Sequence, residues 1–508
     1  MPKYSVKVKW GKETYPGVEV NTEDDPVLFK AQIFALTGVQ PERQKVVCKG
    51  VTLRDEEWGN FKLANNALVL VMGSKEEDVP AAPVEQTRFV EDMNEFELAS
   101  ALDIPEGLIN LGNTCYMNAT VQCLKTVPEL RNALLNYNSN SGGGTAGELT
   151  SALRETMSML DGGGAGGAGG AGGCAGAAAR LLRALHATAP RFAERQPGGG
   201  LAQQDASECW TEIVRALQQR LPAAGAELNA DRASVVEQYF GGTLDVQLVC
   251  AEAEEPPTRA KETFLQLSCF ISQDVKYLQS GLRSKMSEQI TKMSQTLGRD
   301  AIYTKTSKIS RLPAYLTVQF IRFYFKEKES IYAKILKDIK FPVELDVYEL
   351  CTPELQERLT PMRNKFKELE EASIESALNT KNKNHGDSKK DTRPKKAMPY
   401  AFEDDVGSNN SGYYRLQAVL THRGRSANSG HYVAWVRRGD GWLRCDDDNV
   451  TPVLEEEVLK LSGGGDWHCA YLLLYGPKIL EVPEPEEEEP MVTELSDDPA
   501  GAPPTALA

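Results

Sequence analysis

The sequence lacks several features that define large classes of protein. No run of apolar residues approaches the ~20 that a membrane-spanning helix requires, so no transmembrane segment is expected. The N-terminus, Met1-Pro2-Lys3-Tyr4, lacks the charged and then apolar pattern of a secretory signal. The ten cysteines show no regular spacing, which argues against a disulfide framework in a chain of 508 residues. We therefore expect a reducing setting, cytoplasmic and also nuclear.

Positive charge is also scarce. The chain has 57 lysines and arginines against 72 aspartates and glutamates, which gives a net charge of −15. Nucleic acids and anionic membrane surfaces attract basic proteins, so neither is expected as a partner.

Residues 107–118, with the sequence GLINLGNTCYMN, have the character of a catalytic loop. Asn113 and Thr114 are residue types that cap helices, and apolar residues then recur at helical spacing. A thiol in the first turn of a helix lies at the positive end of the helix dipole, which favours the thiolate. Cys115 is therefore the predicted nucleophile.

Residues 429–448 are predicted to form a β-hairpin. If its loop has four residues, His431 lies directly opposite Asp446, roughly 5 Å away between Cβ atoms. A carboxylate at that distance can orient an imidazole, and Asp447 is the reserve candidate for this role. A cysteine at a helix N-terminus together with an oriented histidine is typical of a thiol acyl-transfer enzyme.

These two stretches resemble the Cys box and the His box of the ubiquitin-specific proteases. The segment Gln203–Cys209 resembles the one that this family uses near the tail of its substrate, and the matches together cover roughly residues 105–475. The resemblance implies an α+β fold whose catalytic domain, residues 101–477, is a papain-like cysteine protease domain with fingers, palm and thumb.

The resemblance also implies roles for individual residues. Asn110 would supply an oxyanion donor beside the backbone N–H of Cys115. The residues expected to bind the ubiquitin tail are Gln204, Asp205, Ser429, Gly430 and Tyr432. For Asp205 a second interpretation stays open, because an aspartate at this position is also typical of a helix cap.

Residues 1–75 are predicted to be a separate domain. Their order of strands and helix, β-β-α-β-β with the helix at Val27–Leu36, resembles the ubiquitin-like β-grasp fold. The segment lacks the terminal Gly-Gly of a conjugated modifier, which favours a docking module over a modifier. A small domain that only stabilises its neighbour is the alternative. The same domain order occurs in proteasome-associated family members and implies docking on the regulatory particle of the 26S proteasome.

Composition predicts four stretches outside the folded core. They are an acidic linker over 76–100, a Gly/Ala-rich insertion over about 161–176, a charged disordered insertion over about 379–412 and an acidic disordered tail over 478–508.

Many family members hold zinc with two Cys-x-x-Cys pairs in the fingers. Here Cys250 and Cys269 have no close cysteine partner, so we predict no structural metal and no cofactor.

The predicted function is that of a thiol protease that cleaves at the C-terminal glycine of ubiquitin, with polyubiquitinated proteins as substrates. A catalytically inactive ubiquitin-binding scaffold at the proteasome is the alternative, although such a protein would not need Cys115, His431 and Asp446.

The polar loop over residues 423–430 is hypothesised to cover the tail channel and to gate activity.

Overall fold

The computed structural model describes residues 3–75, 104–138, 143–162, 171–223, 232–326, 331–382, 395–426, 429–465 and 467–483. The chain divides into two compact units, Met1–Asn94 and Glu95–Ala508. The predicted linker over 76–100 and the predicted tail beyond 483 lie outside the described residues. Within the described part, no helix combines the length and the apolar character that crossing a membrane would require.

The first unit has a mixed sheet and one helix among its described residues. Its elements are β1 (Lys3–Trp10), β2 (Glu13–Asn21), α1 (Pro26–Thr37), β3 (Lys45–Cys48), β4 (Val51–Thr52) and β5 (Leu68–Met72). The strand order is β2-β1-β5-β3-β4, with β1 and β5 parallel. Asp25 begins α1 by accepting a hydrogen bond from the Val27 N–H, and Gly38 ends it at a φ of 71°. The expected ubiquitin-like β-grasp fold is confirmed.

The described α-helices of the second unit contribute to both of its large core clusters. They are α2 (Cys115–Lys125), α3 (Pro128–Leu135), α4 (Thr145–Gly162), α5 (Ala171–Thr188), α6 (Ala206–Arg220), α7 (Val235–Phe240), α8 (Leu278–Lys285), α9 (Pro353–Asn382) and α10 (Glu455–Leu459). Helix α2 is buried from its first residue to Leu124. A helix that is buried on all sides holds its ends in fixed positions, which suits a helix that carries a nucleophile.

The strands of the second unit complete the core. They are β6 (Gly242–Cys250), β7 (Thr258–Phe264), β8 (Leu267–Phe270), β9 (Ser287–Met293), β10 (Asp300–Arg311), β11 (Leu316–Ile321), β12 (Phe323–Lys326), β13 (Ile331–Lys334), β14 (Glu344–Asp346), β15 (Lys395–Ala397), β16 (Tyr413–Ser426), β17 (Ser429–Arg438), β18 (Gly441–Asp446), β19 (Asn449–Val453), β20 (Cys469–Pro477) and β21 (Glu481–Pro483). In the described chain, ten of them form one sheet with the main order β19-β18-β17-β16-β20-β11-β8. Helix α2 packs on β17 of this sheet.

A second sheet, with the order β7-β6-β10-β9, forms the fingers. Its tip is joined by polar contacts, because the Glu255 carboxylate accepts hydrogen bonds from the hydroxyls of Tyr303, at 2.5 Å, and Ser294. Cys250 lies in a small apolar cluster at this tip, whereas Cys269 belongs to the main core. These two cysteines therefore lie in different clusters.

The prediction of disorder is wrong for residues 395–412 and for residues 478–483. Strand β15 pairs with β21, and the side chain of Asn409 is buried. The Asn409 side chain accepts hydrogen bonds from the N–H groups of Ser411 and Gly412. The polar residues of this segment form buried turns. A disordered segment exposed to solvent has a similar composition, so composition alone does not distinguish the two. Helices α4 and α5 also extend into the predicted Gly/Ala-rich insertion from both sides, and residues 163–170 of it lie outside the description.

Candidate active site

The nucleophile loop is shaped by a single amide side chain. Asn110 Oδ1 accepts hydrogen bonds from the N–H groups of Gly112, at 2.9 Å, and Thr114, at 3.2 Å. The chain turns back through positive φ values of 100° at Gly112 and 56° at Asn113. Helix α2 then begins directly with Cys115, whose side chain is buried. The thiol thus lies at the helix N-terminus, where the unpaired N–H groups of the first turn favour negative charge.

The histidine lies on the predicted hairpin, but the predicted register is wrong. Arg438 pairs with Gly441, so the loop has the two residues 439–440 where four were assumed. His431 and Asp446 are therefore diagonal neighbours on one face, beyond the end of the paired ladder, and not directly opposite each other. Their side chains still meet, with His431 Nε2 2.5 Å from Asp446 Oδ1.

The electrostatics of this pair favour a protonated imidazole. The hydrogen bond to Asp446, followed by the hydrogen bond to the Cys115 thiol, raises the pKa of His431 to about 10. The hydrogen bond to His431 in turn lowers the pKa of Asp446 to about 2. Asp446 also forms an ion pair with Arg444, which holds its second oxygen. His431 and Asp446 are thus joined directly, and the Cys115 thiol lies close enough to contribute to the raised pKa of His431.

Asp447 has a place in the site that sequence reasoning missed. Its backbone has a φ of 56°, so the regular alternation of the strand ends here, and its carboxylate lies within 4.8 Å of the ligand-type atoms of Asp446 and His431. The carboxylate accepts hydrogen bonds from the amide groups of Asn110 and Asn118, each at 2.9 Å. One N–H of the Asn110 amide makes this contact, which leaves the second for an oxyanion beside Cys115. Asp447 thereby orients the expected oxyanion donor.

Two of the residues expected to bind the ubiquitin tail, Asp205 and Tyr432, lie close together. Asp205 caps α6 by accepting from the Ser207 N–H at 2.7 Å, and its carboxylate also accepts from the Tyr471 hydroxyl at 2.7 Å. Burial raises the pKa of Asp205. Tyr432 is buried against Tyr471, on the opposite face of β17 from the neighbouring His431. Asp205 therefore does act as a helix cap, and it also lies beside Tyr432.

The two glutamines of this segment point to different places. Gln204 donates to the Arg191 carbonyl at 3.0 Å on the surface, so the structure does not bring it to the other predicted residues. Gln203 instead donates to the carbonyl of Gly430, next to His431. Ser429 is exposed at the start of β17. Because adjacent glutamines have identical side chains, the sequence alone could not tell which one faces the site.

Two other histidines near the site are neutral. Burial lowers the pKa of His422 to about 3 and that of His468 to about 4. Burial also lowers the pKa of His186, which lies in α5. These side chains therefore cannot supply a proton near neutral pH, whereas His431 can.

The site also has the composition of a possible cation site. Among the described residues, His431, Asp446 and Asp447 have ligand-type atoms within 4.8 Å of one another. The imidazole is bonded to Asp446 and holds a proton, and Asp447 is bonded to two amides. The arrangement therefore suits proton transfer better than metal binding, since metal-bound histidine must be deprotonated.

The fold and the site together define a cysteine hydrolase of the papain-like kind. A family profile described as "Ubiquitin carboxyl-terminal hydrolase" matches residues 106–475. Ubiquitin carboxyl-terminal hydrolase 14 of Caenorhabditis elegans is 39% identical over 507 residues, covering 97% of this chain and 98% of that protein. Ubiquitin carboxyl-terminal hydrolase 7 of Arabidopsis thaliana is 38% identical over 490 residues, covering 94% and 100%. The chain belongs to the ubiquitin carboxyl-terminal hydrolase family.

Solved structures share the fold. The SAGA Ubp8/Sgf11/Sus1/Sgf73 DUB module bound to ubiquitin aldehyde contains a chain with a TM-score of 0.51 and 23% identity, over 74% of this chain and 70% of that one. The expected protease fold and the assignment as a cysteine-type ubiquitin hydrolase are confirmed.

Proposed function

We propose that this protein removes ubiquitin from conjugates bound to the proteasome, by hydrolysing the bond at the C-terminal glycine of ubiquitin. The observation that carries the proposal is the hydrogen bond between His431 and Asp446 on strands that pack against α2, the helix that begins with Cys115. A scaffold that only binds ubiquitin has no need for this arrangement.

The first chemical step uses the thiolate and the imidazolium together. The Cys115 sulfur attacks the carbonyl carbon of the terminal glycine and forms a C–S bond. The oxygen becomes an oxyanion beside the Cys115 N–H and the free N–H of the Asn110 amide. As the C–N bond breaks, His431 donates its proton to the leaving lysine amine. A thioester and a neutral imidazole remain.

The second step returns the site to its starting state. The neutral His431 takes a proton from water, and the oxygen of that water attacks the thioester carbon. The C–S bond breaks, which restores the thiolate and releases ubiquitin with a C-terminal carboxylic acid, and this acid then loses the second proton of the water to solvent. Asp446 stabilises the imidazolium at both ends of the cycle and does not itself need to be protonated.

Residues 1–75 are proposed to dock the enzyme on the regulatory particle of the 26S proteasome, with activity rising on docking. The support is the folded β-grasp unit and the similarity over nearly the whole chain to the two relatives above. A cytoplasmic and nuclear location follows from this partner.

Hydrolysis of a fluorogenic C-terminal amide of ubiquitin, with and without purified proteasome, tests the proposal. We expect activity that rises with proteasome, that is lost in Cys115→Ala and that persists in Cys250→Ala, a buried cysteine of the fingers. Full activity without proteasome would contradict activation by docking, but the assignment as a ubiquitin hydrolase would stand. Silence in both settings, with ubiquitin still bound, would establish the scaffold.

The gating hypothesis concerns residues 423–430, which the sequence predicts to be a loop. Residues 423–426 instead end β16 and residues 429–430 begin β17, while 427 and 428 lie outside the described residues. The Gln203 side chain donates a hydrogen bond to the Gly430 carbonyl, next to His431, so the proposed tail channel would lie beside this contact. Hydrogen exchange with and without ubiquitin should show protection of this loop, and unchanged exchange would contradict the gate.

A further inference from the structure

A cationic pocket lies at the opposite end of the helix that carries the nucleophile. It encloses about 330 Å³ between the C-terminal end of α2, the start of α3, the end of α4 and the β17–β18 turn. Helix α2 has 11 residues, so its two ends are roughly 15 Å apart. The pocket is therefore separate from the catalytic residues, although it shares the elements α2, β17 and β18 with them.

The charges that line this pocket are unusual for an acidic protein. Its described lining contains four cations and a single carboxylate, namely Lys125, Arg131, Arg437, Arg438 and Asp161. The whole chain has a net charge of −15, so this surplus of positive charge is local. A local surplus of this kind attracts a bound anion and is not explained by the general solubility of the protein.

Asp161 cannot neutralise the cations around it. Its carboxylate lies 3.2 Å from Lys125 Nζ and 3.6 Å from the nearest nitrogen of Arg131, so two cations share one anion. Lys125 also donates to the Leu160 carbonyl at 2.8 Å. Burial lowers the pKa of Lys125, and Arg438 adds to that lowering while Asp161 opposes it. An added anion would relieve this repulsion.

Two guanidinium groups keep buried donors without partners. Arg437 Nε donates to the Gly439 carbonyl at 3.1 Å, but its Nη1 is buried with no hydrogen-bond partner. Arg131 Nε is likewise buried and unpartnered. A buried donor without an acceptor is costly, so these groups are typical of a site that is completed by a ligand. The acids near Arg437 are Glu455, Asp440 and Glu344, and Arg415 repels it.

We propose that this pocket binds a small anion that carries several phosphate groups. Guanidinium forks match the geometry of phosphate oxygens. Arg131 and Arg437 line the same pocket from different elements, α3 and β17, and linked phosphates can offer a separate group to each guanidinium. The volume lies at the lower end of the range of small-molecule sites, which fits a compact polyphosphate. A soluble polyphosphate and a phosphoinositide headgroup share this chemistry.

Calorimetric titration of the full chain tests the site with three probes: inorganic tripolyphosphate, inositol hexakisphosphate and vesicles that contain phosphatidylinositol bisphosphate. We expect saturable binding, weakened about tenfold or more in Arg437→Gln because one charge-assisted contact is lost. The matched control is Arg259→Gln, an exposed arginine of β7 away from the pocket. Binding of the soluble probes identifies a free polyphosphate, and binding of the vesicles alone identifies a headgroup.

A second variant gives a change of the opposite sign. Asp161→Asn removes the one competing carboxylate, so the affinity for tripolyphosphate should rise about threefold or more. Thermal unfolding of each variant without ligand verifies that it is folded. The proposal is overturned if no probe binds, or if wild type, Arg437→Gln and Asp161→Asn bind with equal affinity.

Discussion

The pKa values of His431 and Asp446 determine how the site responds to pH. The pKa of His431 is raised from 6.5 to about 10, so its contribution to stability is complete below about pH 6.5 and is lost as the pH rises through 10. The pKa of Asp446 is lowered from 3.8 to about 2, so its contribution is present above about pH 3.8 and is lost as the pH falls through 2. Between pH 3.8 and 6.5 both contributions are present.

Asp446→Asn should therefore change the pH profile as well as the rate. Without the carboxylate the pKa of His431 falls, so the alkaline limb of kcat/KM should move to lower pH. We expect kcat at neutral pH to fall on the order of 10²–10⁴-fold, because the imidazolium is less stable and less well oriented. A variant that loses rate but keeps the wild-type alkaline limb would contradict this role for Asp446.

Asp447→Asn should lower kcat with little effect on KM. The amide that replaces the carboxylate presents an N–H group to Asn110 or Asn118, so one of the two contacts is lost and the oxyanion donor is less well held. We expect a fall in kcat of about 10–100-fold. Asparagine tolerates the positive φ of this position, so the backbone is kept. The exposed Asp448→Asn is the matched control, and an equal loss in both variants would contradict the assignment.

The single residues could be predicted from the sequence better than their contacts. Cys115, His431 and Asp446 are brought together as expected, because a helix start and a hairpin are local patterns. The role of Asp447 could not be predicted, since alternation along a regular strand places it on the other face and only the turn at its positive φ brings it to Asn110. Which of Gln203 and Gln204 faces the site likewise depends on the backbone conformation just before α6 begins.

At the scale of elements, the β16–β17 hairpin depends on glycine at one position. Gly430 has a φ of 146°, and a Cβ there would lie 2.3 Å from the Arg423 carbonyl oxygen and 2.4 Å from His422 Nε2. Gly430→Ala should therefore push β17 away from β16 and displace His431.

We expect Gly430→Ala to lower kcat/KM for the ubiquitin amide by about 100-fold or more, since even a small misplacement of a catalytic group is costly. Gly441→Ala, at the start of β18, is the matched control. A Cβ there meets its nearest neighbour only at 3.8 Å, so activity should stay near that of the wild type. Equal activity of the two variants would show that the strand tolerates the change.

The fingers are expected to be independent of metal. Their tip is joined through Glu255, Tyr303 and Ser294, and Cys250 and Cys269 lie in different clusters. Incubation with a zinc chelator should leave Tm unchanged, and thiol oxidation should release no zinc into a colorimetric reagent. Stoichiometric release of zinc would overturn this prediction.

Some secondary-structure elements can be predicted from sequence patterns, and others cannot. Strand β1 is predictable because its apolar residues alternate with polar ones, and β5 because it is an apolar run of strand length. The length of the β17–β18 loop is not, since Arg437 and Arg438 are compatible with either loop or strand, and the ladder continues through them. The segment over 395–412 shows the same limit, because buried polar turns and solvated chain have similar composition.

At the scale of the whole molecule, the two compact units allow docking and catalysis to be separated. A chain that lacks residues 1–75 should hydrolyse the ubiquitin amide within about twofold of the full chain when no proteasome is present, because the site lies entirely in the second unit. Stimulation by proteasome should be lost. Stimulation that persists in the truncated chain would assign docking to the second unit.

The bond between Asn110 and Asp447 also has a consequence for biosynthesis. These residues are 337 positions apart, so at ordinary rates of translation the second follows the first by roughly 20–70 seconds. Strand β20, in the interior of the main sheet, is made later still. A growing chain on the ribosome therefore carries the thiol of Cys115 without the groups that activate it until Asp447 has been made. The enzyme cannot act on ubiquitin before synthesis has passed β20.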